Sequence, residues 1–255
     1  MTRTSGITTT SLPLLLLIFF LHYLFFAGFY HRVDCCPASC QCTAVSGGGE
    51  RVVCPPGQTS LPPGLDPGTK TLVFTGRPLP QGGSNIPVLR RSDFTLLSAL
   101  EELTMPFANL TDIEDDAFGA LVNLKRLCLH NNKLKGLTPR TFSGLGKLAY
   151  LDLTNNDGCV IQGDVFSQLT SLETLYLGGL GLTEVKAEWF KALSLLESLD
   201  LHGNGFESLG SDFLQGLTNM KVCHIPGLTL CLAGQDVKVQ GLTNFTRIYR
   251  ILVTH

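Results

Sequence analysis

Five consecutive blocks of 24 residues decide the fold of this chain: LEELTMPFANLTDIEDDAFGALVN (100–123), LKRLCLHNNKLKGLTPRTFSGLGK (124–147), LAYLDLTNNDGCVIQGDVFSQLTS (148–171), LETLYLGGLGLTEVKAEWFKALSL (172–195) and LESLDLHGNGFESLGSDFLQGLTN (196–219). The blocks follow one another without a gap. A sixth, looser block begins at Met220, and Phe245 opens what looks like a seventh. A fixed period of this length is typical of a stacked solenoid.

The blocks share the pattern L-x-x-L-x-L-x-x-N-x-L, which predicts a short strand at the start of each one. Leu124, Leu127 and Leu129 would face the core, while the residues between them face outward. One block cannot bury its own apolar face, so stacked blocks must share a core. Amphipathic helices are excluded because the apolar spacing does not keep a period of 3.6 residues. The second half of each block supplies further core residues: Ile113, Leu137, Ile161, Val185 and Leu209; Phe118, Phe142, Phe166 and Phe190; and Leu121, Leu145, Leu169, Leu193 and Leu217.

Position nine holds asparagine in three blocks, at Asn132, Asn156 and Asn204. An amide there can bond backbone groups of neighbouring turns that would otherwise be buried unpaired. Ala108 and Leu180 occupy the same position in the other two blocks, so we expect the row of asparagines to be interrupted.

Composition and the N-terminus indicate an exported, folded protein. The chain has 255 residues, 44% of them hydrophobic and 16% charged, with a net charge of −2. It therefore has ample core material, and the lack of a basic run argues against nucleic-acid binding. Residues 1–30 contain an apolar run from Leu12 to Tyr30 that predicts a signal peptide, with an uncleaved signal anchor as the alternative. Five of the nine cysteines lie between Cys35 and Cys54, which fits an oxidising compartment.

The repeats and the cysteine cluster together carry a family resemblance. CPASCQC, followed by VVCPPGQTSLPPGL, places Cys36, Cys40, Cys42 and Cys54 in a C-x3-C-x-C…C arrangement. From Cys35 to Asn244 the chain resembles extracellular leucine-rich-repeat proteins, the length class of Toll-like receptors, Nogo-receptor-like proteins, small proteoglycans and lamprey variable lymphocyte receptors. The resemblance implies an α/β solenoid, a horseshoe with a parallel β-sheet on its concave face and an N-terminal disulfide cap.

The resemblance also implies the pairings Cys36 with Cys42 and Cys40 with Cys54. Spacing alone leaves all three connectivities of these four cysteines open. A zinc site fits the spacing poorly, and Cys35 has no obvious partner. We assign residues 33–68 to the cap.

Domain boundaries outside the regular blocks follow from departures from the pattern. Residues 69–99 form an irregular first repeat, whose insertion from Arg77 to Pro87 predicts an exposed loop because of its Gly and Pro content. The five regular repeats cover 100–219, a looser sixth covers 220–244, and 245–255 begin an incomplete repeat. No second cysteine cap follows Asn244, so we expect either a longer protein or an open last repeat.

Outward positions of parallel strands form columns across the sheet, and these columns hold the candidate ligand-binding residues. Rigid aromatic residues beside charged groups are typical of interface anchors. A metal site at Asp200, His202 and His224, and a nucleophile group at Cys128, His130 and Asp152, are weaker hypotheses, since neither has a supporting pocket or spacing. The predicted surface comprises Arg126, His130, Tyr150, Asp152, Tyr176, Asp200, His202 and His224.

Two sequons, at Asn109 and Asn244, predict N-glycosylation at positions that point into solvent. Cys223 replaces a core Leu. Cys159 and Cys231 share position twelve of different repeats and are not paired in this interpretation; their state and that of Cys128 stay open.

The sequence therefore predicts a protein that is secreted or on the extracellular side of the plasma membrane. We expect it to bind a protein or glycan ligand through the concave face, as an innate-immune or adhesion receptor ectodomain does. The alternative is a structural protein of the extracellular matrix. No enzymatic activity, cofactor, metal or nucleic-acid partner is expected. Membrane attachment would come only from the signal anchor or from a further C-terminal part, and a homodimer stays open.

Overall fold

A computed structural model describes residues 36–77, 82–206, 214 and 217–225, together with the backbone of 228–233 and 236–240. These residues belong to one unit of the chain, Cys36–His255. The predicted signal segment, Cys35, Leu209, the sequon at Asn244 and the predicted incomplete repeat lie outside the described residues.

The described part of the chain is built almost entirely from short strands. In chain order they are β1 Gln41–Ala44, β2 Glu50–Cys54, β3 Thr69–Phe74, β4 Val88–Leu89, β5 Glu102–Thr104, β6 Asp112–Ile113, β7 Arg126–Cys128, β8 Gly136–Leu137, β9 Tyr150–Asp152, β10 Val160–Ile161, β11 Thr174–Tyr176, β12 Ser198–Asp200, β13 Val222–Ile225, β14 Leu228–Ala233 and β15 Asp236–Gln240.

Eleven of these strands form one long sheet in the order β1-β2-β3-β5-β7-β9-β11-β12-β13-β14-β15. From β2 to β13 all neighbours are parallel. Strands β5, β7, β9, β11, β12 and β13 begin 24 residues apart. The predicted leucine-rich-repeat solenoid is therefore confirmed, with one strand of the long sheet for each block.

The connections between these strands contain turns, two-residue strands and 3-10 helices. Two small parallel sheets join β4 to β6 and β8 to β10. The helices in the described part of the chain are two 3-10 helices, Arg91–Asp93 and Ala187–Trp189. The α/β class implied a layer of helices, but in the described residues this layer consists of single 3-10 turns. A 24-residue repeat has few residues left to form a longer helix around its buried Phe and Leu.

A row of phenylalanine rings fills the core behind the long sheet. Phe94, Phe118, Phe142, Phe166 and Phe190 are all fully buried. Ring centroids of the first four are separated by 5.5, 6.5 and 6.0 Å in turn. Each ring packs against the next turn, so burial is shared between neighbouring repeats as expected for a solenoid.

The asparagines of position nine bond the turn before their own. Asn132 Oδ1 accepts from the amides of Ala108 and Leu110 at 2.9 and 3.1 Å. Its Nδ2 donates to the carbonyls of Met105 and Leu129, each at 2.8 Å. The prediction that these amides satisfy buried backbone groups is confirmed. Asn156 and Asn204 repeat the arrangement one and three turns further along.

The N-terminal end of the sheet is closed by the cysteine segment. Strands β1 and β2 form an antiparallel pair, and β2 lies parallel to β3. Disulfides join Cys36 to Cys42 and Cys40 to Cys54, which confirms the implied pairings.

The irregular first repeat is more regular than its sequence. Within the segment predicted as an exposed loop, Ser84 and Ile86 are buried. The amide of Ser84 donates to the Phe107 carbonyl at 3.1 Å, and that of Ile86 to the Ala108 carbonyl at 2.8 Å. The prediction was wrong for this part of the loop, because Ile86 takes the core position that Leu110 holds one turn later.

The far end departs from the predicted sixth repeat. Strand β13 keeps the parallel register, but β14 turns back antiparallel to it and β15 is antiparallel to β14. An antiparallel turn needs only a short connection, whereas another parallel strand needs a full repeat of core residues behind it. The segment after β13 lacks the regular Leu and Phe spacing that would supply them.

Candidate functional site

The candidate residues lie on the outward face of the long sheet, which we call the sheet face and define by positions three, five and seven of each block. Parallel pairing aligns Arg126 with Tyr150, and Asp152 with Tyr176. It also aligns Tyr176 with Asp200 and Asp200 with His224. The sequence-predicted columns are therefore present in the structure.

Three of these side chains form a continuous stack across β7, β9 and β11. The Arg126 guanidinium carbon lies 3.7 Å from the centroid of the Tyr150 ring. The Tyr150 and Tyr176 rings are 5.5 Å apart and tilted by 56°. A cation over one face of an aromatic ring and a second ring beside it hold all three side chains in place. The three side chains thus form a contiguous platform of one cation and two aromatic rings on the sheet face.

Asp152 and Asp200 frame Tyr176 and also hold the backbone at the strand ends. Asp152 Oδ1 accepts from the Thr154 amide at 2.9 Å. Asp200 Oδ1 accepts from the His202 amide at 2.9 Å and lies 2.8 Å from His202 Nδ1. Since each aspartate caps its own turn, part of its role is structural.

Gly178 makes room for the imidazole of His202. A β-carbon at Gly178 would overlap the His202 ring, so only glycine permits the observed approach between these two turns. His202 is exposed, and its ring lies over Gly178, just after the end of β11. His224 is half-buried in β13, beside Asp200.

His130 contacts a residue that sequence reasoning missed. The ring of Phe107 lies 6.3 Å from the His130 ring in an edge-on arrangement. Phe107 has a φ of 53°, a conformation that bulky residues rarely adopt. Later turns place Asn131 and Gly179 at this position, with φ values of 55° and 63°. The departure from Asn or Gly at position eight is the signal that could have identified it.

The surroundings of Tyr150 disfavour its ionised form. Burial, and then the nearby negative charge of Asp152, raise the pKa of Tyr150 to about 12. Because a tyrosine with its ordinary pKa of about 10 is already protonated at physiological pH, the shift affects the hydroxyl only in alkaline solution.

Cys128 is not an activated nucleophile. The residue is buried, and burial raises the pKa of its thiol. A catalytic cysteine needs the opposite shift, because the thiolate is the reactive form. The weaker hypothesis of a group formed by Cys128, His130 and Asp152 loses its chemical basis.

Two other buried cysteines contribute to the core. Cys159 and Cys223 are buried free thiols, and burial raises the pKa of each to about 12. Cys223 occupies a core position in β13, as predicted. Cys231 lies in β14, of which only the backbone is described.

The first sequon is less open than its pattern indicates. Asn109 is half-buried, and its Nδ2 donates to Asn85 Oδ1 at 2.8 Å. Its Oδ1 is buried without a hydrogen-bond partner. The hydroxyl of Thr111, the third sequon residue, donates to the Pro87 carbonyl at 2.9 Å. The expectation that Asn109 points freely into solvent was wrong, because the preceding turn holds both sequon side chains.

The described residues contain neither a cluster of potential metal ligands nor a helix that could span a membrane. No group of three or more His, Cys, Asp or Glu side chains within the described ranges could hold a metal ion. In the same part of the chain, no helix has the length and apolar character needed to cross a bilayer.

Comparison with known proteins agrees with the architecture. The leucine-rich-repeat family matches residues 98–157 and 170–222. A leucine-rich repeat and fibronectin type III domain-containing protein 1-like protein from Danio rerio is 40% identical over 60 residues, which are 24% of this chain and 9% of the relative. The chain thus matches less than a tenth of that relative's length. The 24-residue strand register, the two cap disulfides and these matches together identify a leucine-rich-repeat protein with an N-terminal cysteine cap.

Proposed function

We propose that this chain is an extracellular or cell-surface recognition protein that binds a protein or glycan ligand through the sheet face, the concave side of the solenoid. The ordered stack of Arg126, Tyr150 and Tyr176 carries the proposal. Large aromatic residues and arginine, held rigid before binding, lose little entropy when a partner covers them. The receptor ectodomains of innate immunity and cell adhesion are the class that this arrangement fits.

The cysteine cap supports the proposed compartment. Its two disulfides persist only where the environment is oxidising, which supports an extracellular location. Glycosylation of Asn109 and Asn244 belongs to the same proposal, although the preceding turn holds the side chains of the first sequon and would hinder modification of Asn109. Burial and the raised pKa of the Cys128 thiol argue against a nucleophilic role for this residue.

The proposal is tested with a platform variant, in which the two tyrosines of the platform and the neighbouring Asp152 are replaced, and by screening it for lost ligands. The triple variant Tyr150→Ala, Tyr176→Ala, Asp152→Ala is compared with the parent against an array of extracellular proteins and glycans. We expect affinity for bound ligands to fall at least about a hundredfold, since hot-spot residues each carry about 2 kcal/mol or more.

The control variant changes three exposed residues of the same turns outside the sheet face: Val160→Ala, Asp164→Ala and Glu188→Ala. It should keep parental binding. Unchanged capture of every ligand by the platform variant would contradict the assignment of the sheet face.

A further inference from the structure

Charge is unevenly divided along the repeat region. Residues 36–147 carry eleven Lys and Arg against nine Asp and Glu, whereas residues 148–219 carry two against ten. The last three regular repeats therefore have a net charge of −8. A field of this sign attracts cationic segments and repels polyanions.

On the sheet face this negative charge lies at Asp152 and Asp200, on either side of Tyr176. The two aspartates occupy the same column two strands apart, about 10 Å from the usual strand spacing. In the described part of the chain, no Lys or Arg forms an ion pair with either carboxylate, and Asp200 pairs with His202. The turn bonds of both aspartates use Oδ1, and His202 Nδ1 also lies 2.8 Å from Asp200 Oδ1, so a ligand would contact Oδ2 of each carboxylate. The Asp200 side chain is 13% exposed.

The platform already contains one contact between a guanidinium and a tyrosine ring. The Arg126 guanidinium already lies over Tyr150, and Tyr176 presents the next ring in the row. A guanidinium stacks on aromatic faces and forms forked hydrogen bonds with carboxylates, whereas an ammonium is a compact, strongly hydrated charge. A guanidinium on Tyr176 would have a carboxylate within reach on each side.

We propose that Asp152, Tyr176 and Asp200 form a binding site for an arginine side chain of a basic protein segment. This inference rests on the proposed function and names its partner class. The site combines long-range attraction from the acidic repeats with local recognition by one ring and two carboxylates. A sulfated glycan would meet the same negative field and is not the ligand of this site.

The test uses the full chain and a fluorescein-labelled hexa-arginine peptide, with hexa-lysine and a heparin oligosaccharide as comparison probes. Binding is measured by fluorescence anisotropy, and for heparin by calorimetry, in about 150 mM salt, where surface charges beyond about 8 Å are screened. Asp152→Asn with Asp200→Asn removes both charges but keeps the Oδ1 acceptors of the turns. We expect this variant to bind hexa-arginine at least about tenfold more weakly.

The matched control, Asp164→Asn with Glu188→Gln, removes the same charge from exposed positions outside the sheet face. Its affinity should stay within about twofold of the parent. Tyr176→Leu should weaken hexa-arginine more than hexa-lysine, because stacking favours the planar guanidinium. Thermal unfolding of each variant confirms that it is folded before binding is compared.

Equal losses in the two charge variants would overturn the proposal, since the attraction would then come from the overall field. Heparin binding that is lost in the Tyr176→Leu variant would also overturn it and favour a glycan. If ligands without accessible arginine are captured and then lost in the platform variant, the arginine site fails while the proposed function stands. If hexa-arginine binds through Asp152, Tyr176 and Asp200 but the protein captures no extracellular ligand, the arginine site stands while the proposed function fails.

Discussion

Single buried amides secure the backbone between neighbouring repeats. Asn132 is buried and bonds two amides of the preceding turn and three carbonyls, one in that turn and two in its own. Asp152 and Asp200 of the sheet face also bond the backbone, since each accepts a backbone amide two residues further along. The same residue types therefore serve both the fold and the surface, and only their environment distinguishes the two roles.

Asn132→Ala should destabilise the protein by about 2 to 4 kcal/mol, because it leaves several buried backbone groups without partners. The control is Asn123→Ala, which removes two exposed hydrogen bonds, one from Nδ2 to the Ser98 carbonyl and one from Lys147 Nζ to Oδ1, and should cost less than about 1 kcal/mol. The free energy of unfolding is obtained from urea denaturation monitored by circular dichroism. Equal effects of the two substitutions would contradict the role assigned to the buried amide.

At the level of strands and turns, periodicity predicted most of what the structure contains. A 24-residue period with apolar residues at fixed positions determines which side chains face inward, so the columns of the sheet face could be named in advance. Side-chain directions within a column could not. The stacking of Arg126 on Tyr150 and the Phe107–His130 contact depend on rotamers and on an unusual φ, which no spacing reveals.

Two local predictions, the exposed loop near Ser84 and the open sequon at Asn109, were wrong because contacts between turns are not visible in the sequence pattern. Gly and Pro near Ser84 favour a loop, but burial of Ile86 outweighs local preference and returns the chain to the core. At Asn109 the sequon pattern records residue identity alone, whereas accessibility depends on the preceding turn, through Asn85 and Pro87.

The phenylalanine row is the element that links consecutive turns. Phe142 is fully buried between Phe118 and Phe166. Phe142→Ala should cost about 3 to 5 kcal/mol, through lost burial and the cavity left behind. Phe142→Leu should cost about 1 to 2 kcal/mol, because it keeps most of the volume.

Val122→Ala provides the surface control. Val122 is 49% exposed, so its substitution should change stability by less than about 0.5 kcal/mol. Urea denaturation with unchanged slopes gives the comparison. A Phe142→Ala variant within about 1 kcal/mol of the parent would show that the row is not the main link between turns.

At the scale of the whole molecule, three buried thiols lie at different points along the solenoid. Their reactivity with an alkylating reagent measures local unfolding at each point. Cys128 lies in β7, Cys159 in the connection before β10, and Cys223 in β13. Burial raises the pKa of Cys159 from an ordinary value of about 9 to about 12, and that of Cys223 equally. Because the folded-state pKa is the higher one, the neutral thiols stabilise the fold fully below pH 9. That contribution is lost as the pH rises from about 9 to about 12.

Alkylation of Cys159 and Cys223 by iodoacetamide at pH 8 should therefore be about a thousandfold slower in the folded protein than in the unfolded chain, from the thiolate fractions alone, and alkylation of Cys128 should also be slower. Peptide mass spectrometry follows each cysteine separately in sub-denaturing urea. Repeats stabilise only their neighbours, so we expect Cys223 in the last parallel strand to react before Cys159 and Cys128. Equal rates at the three positions would instead indicate that the solenoid opens as one cooperative unit, and faster reaction at Cys128 would place the weakest contact in its middle.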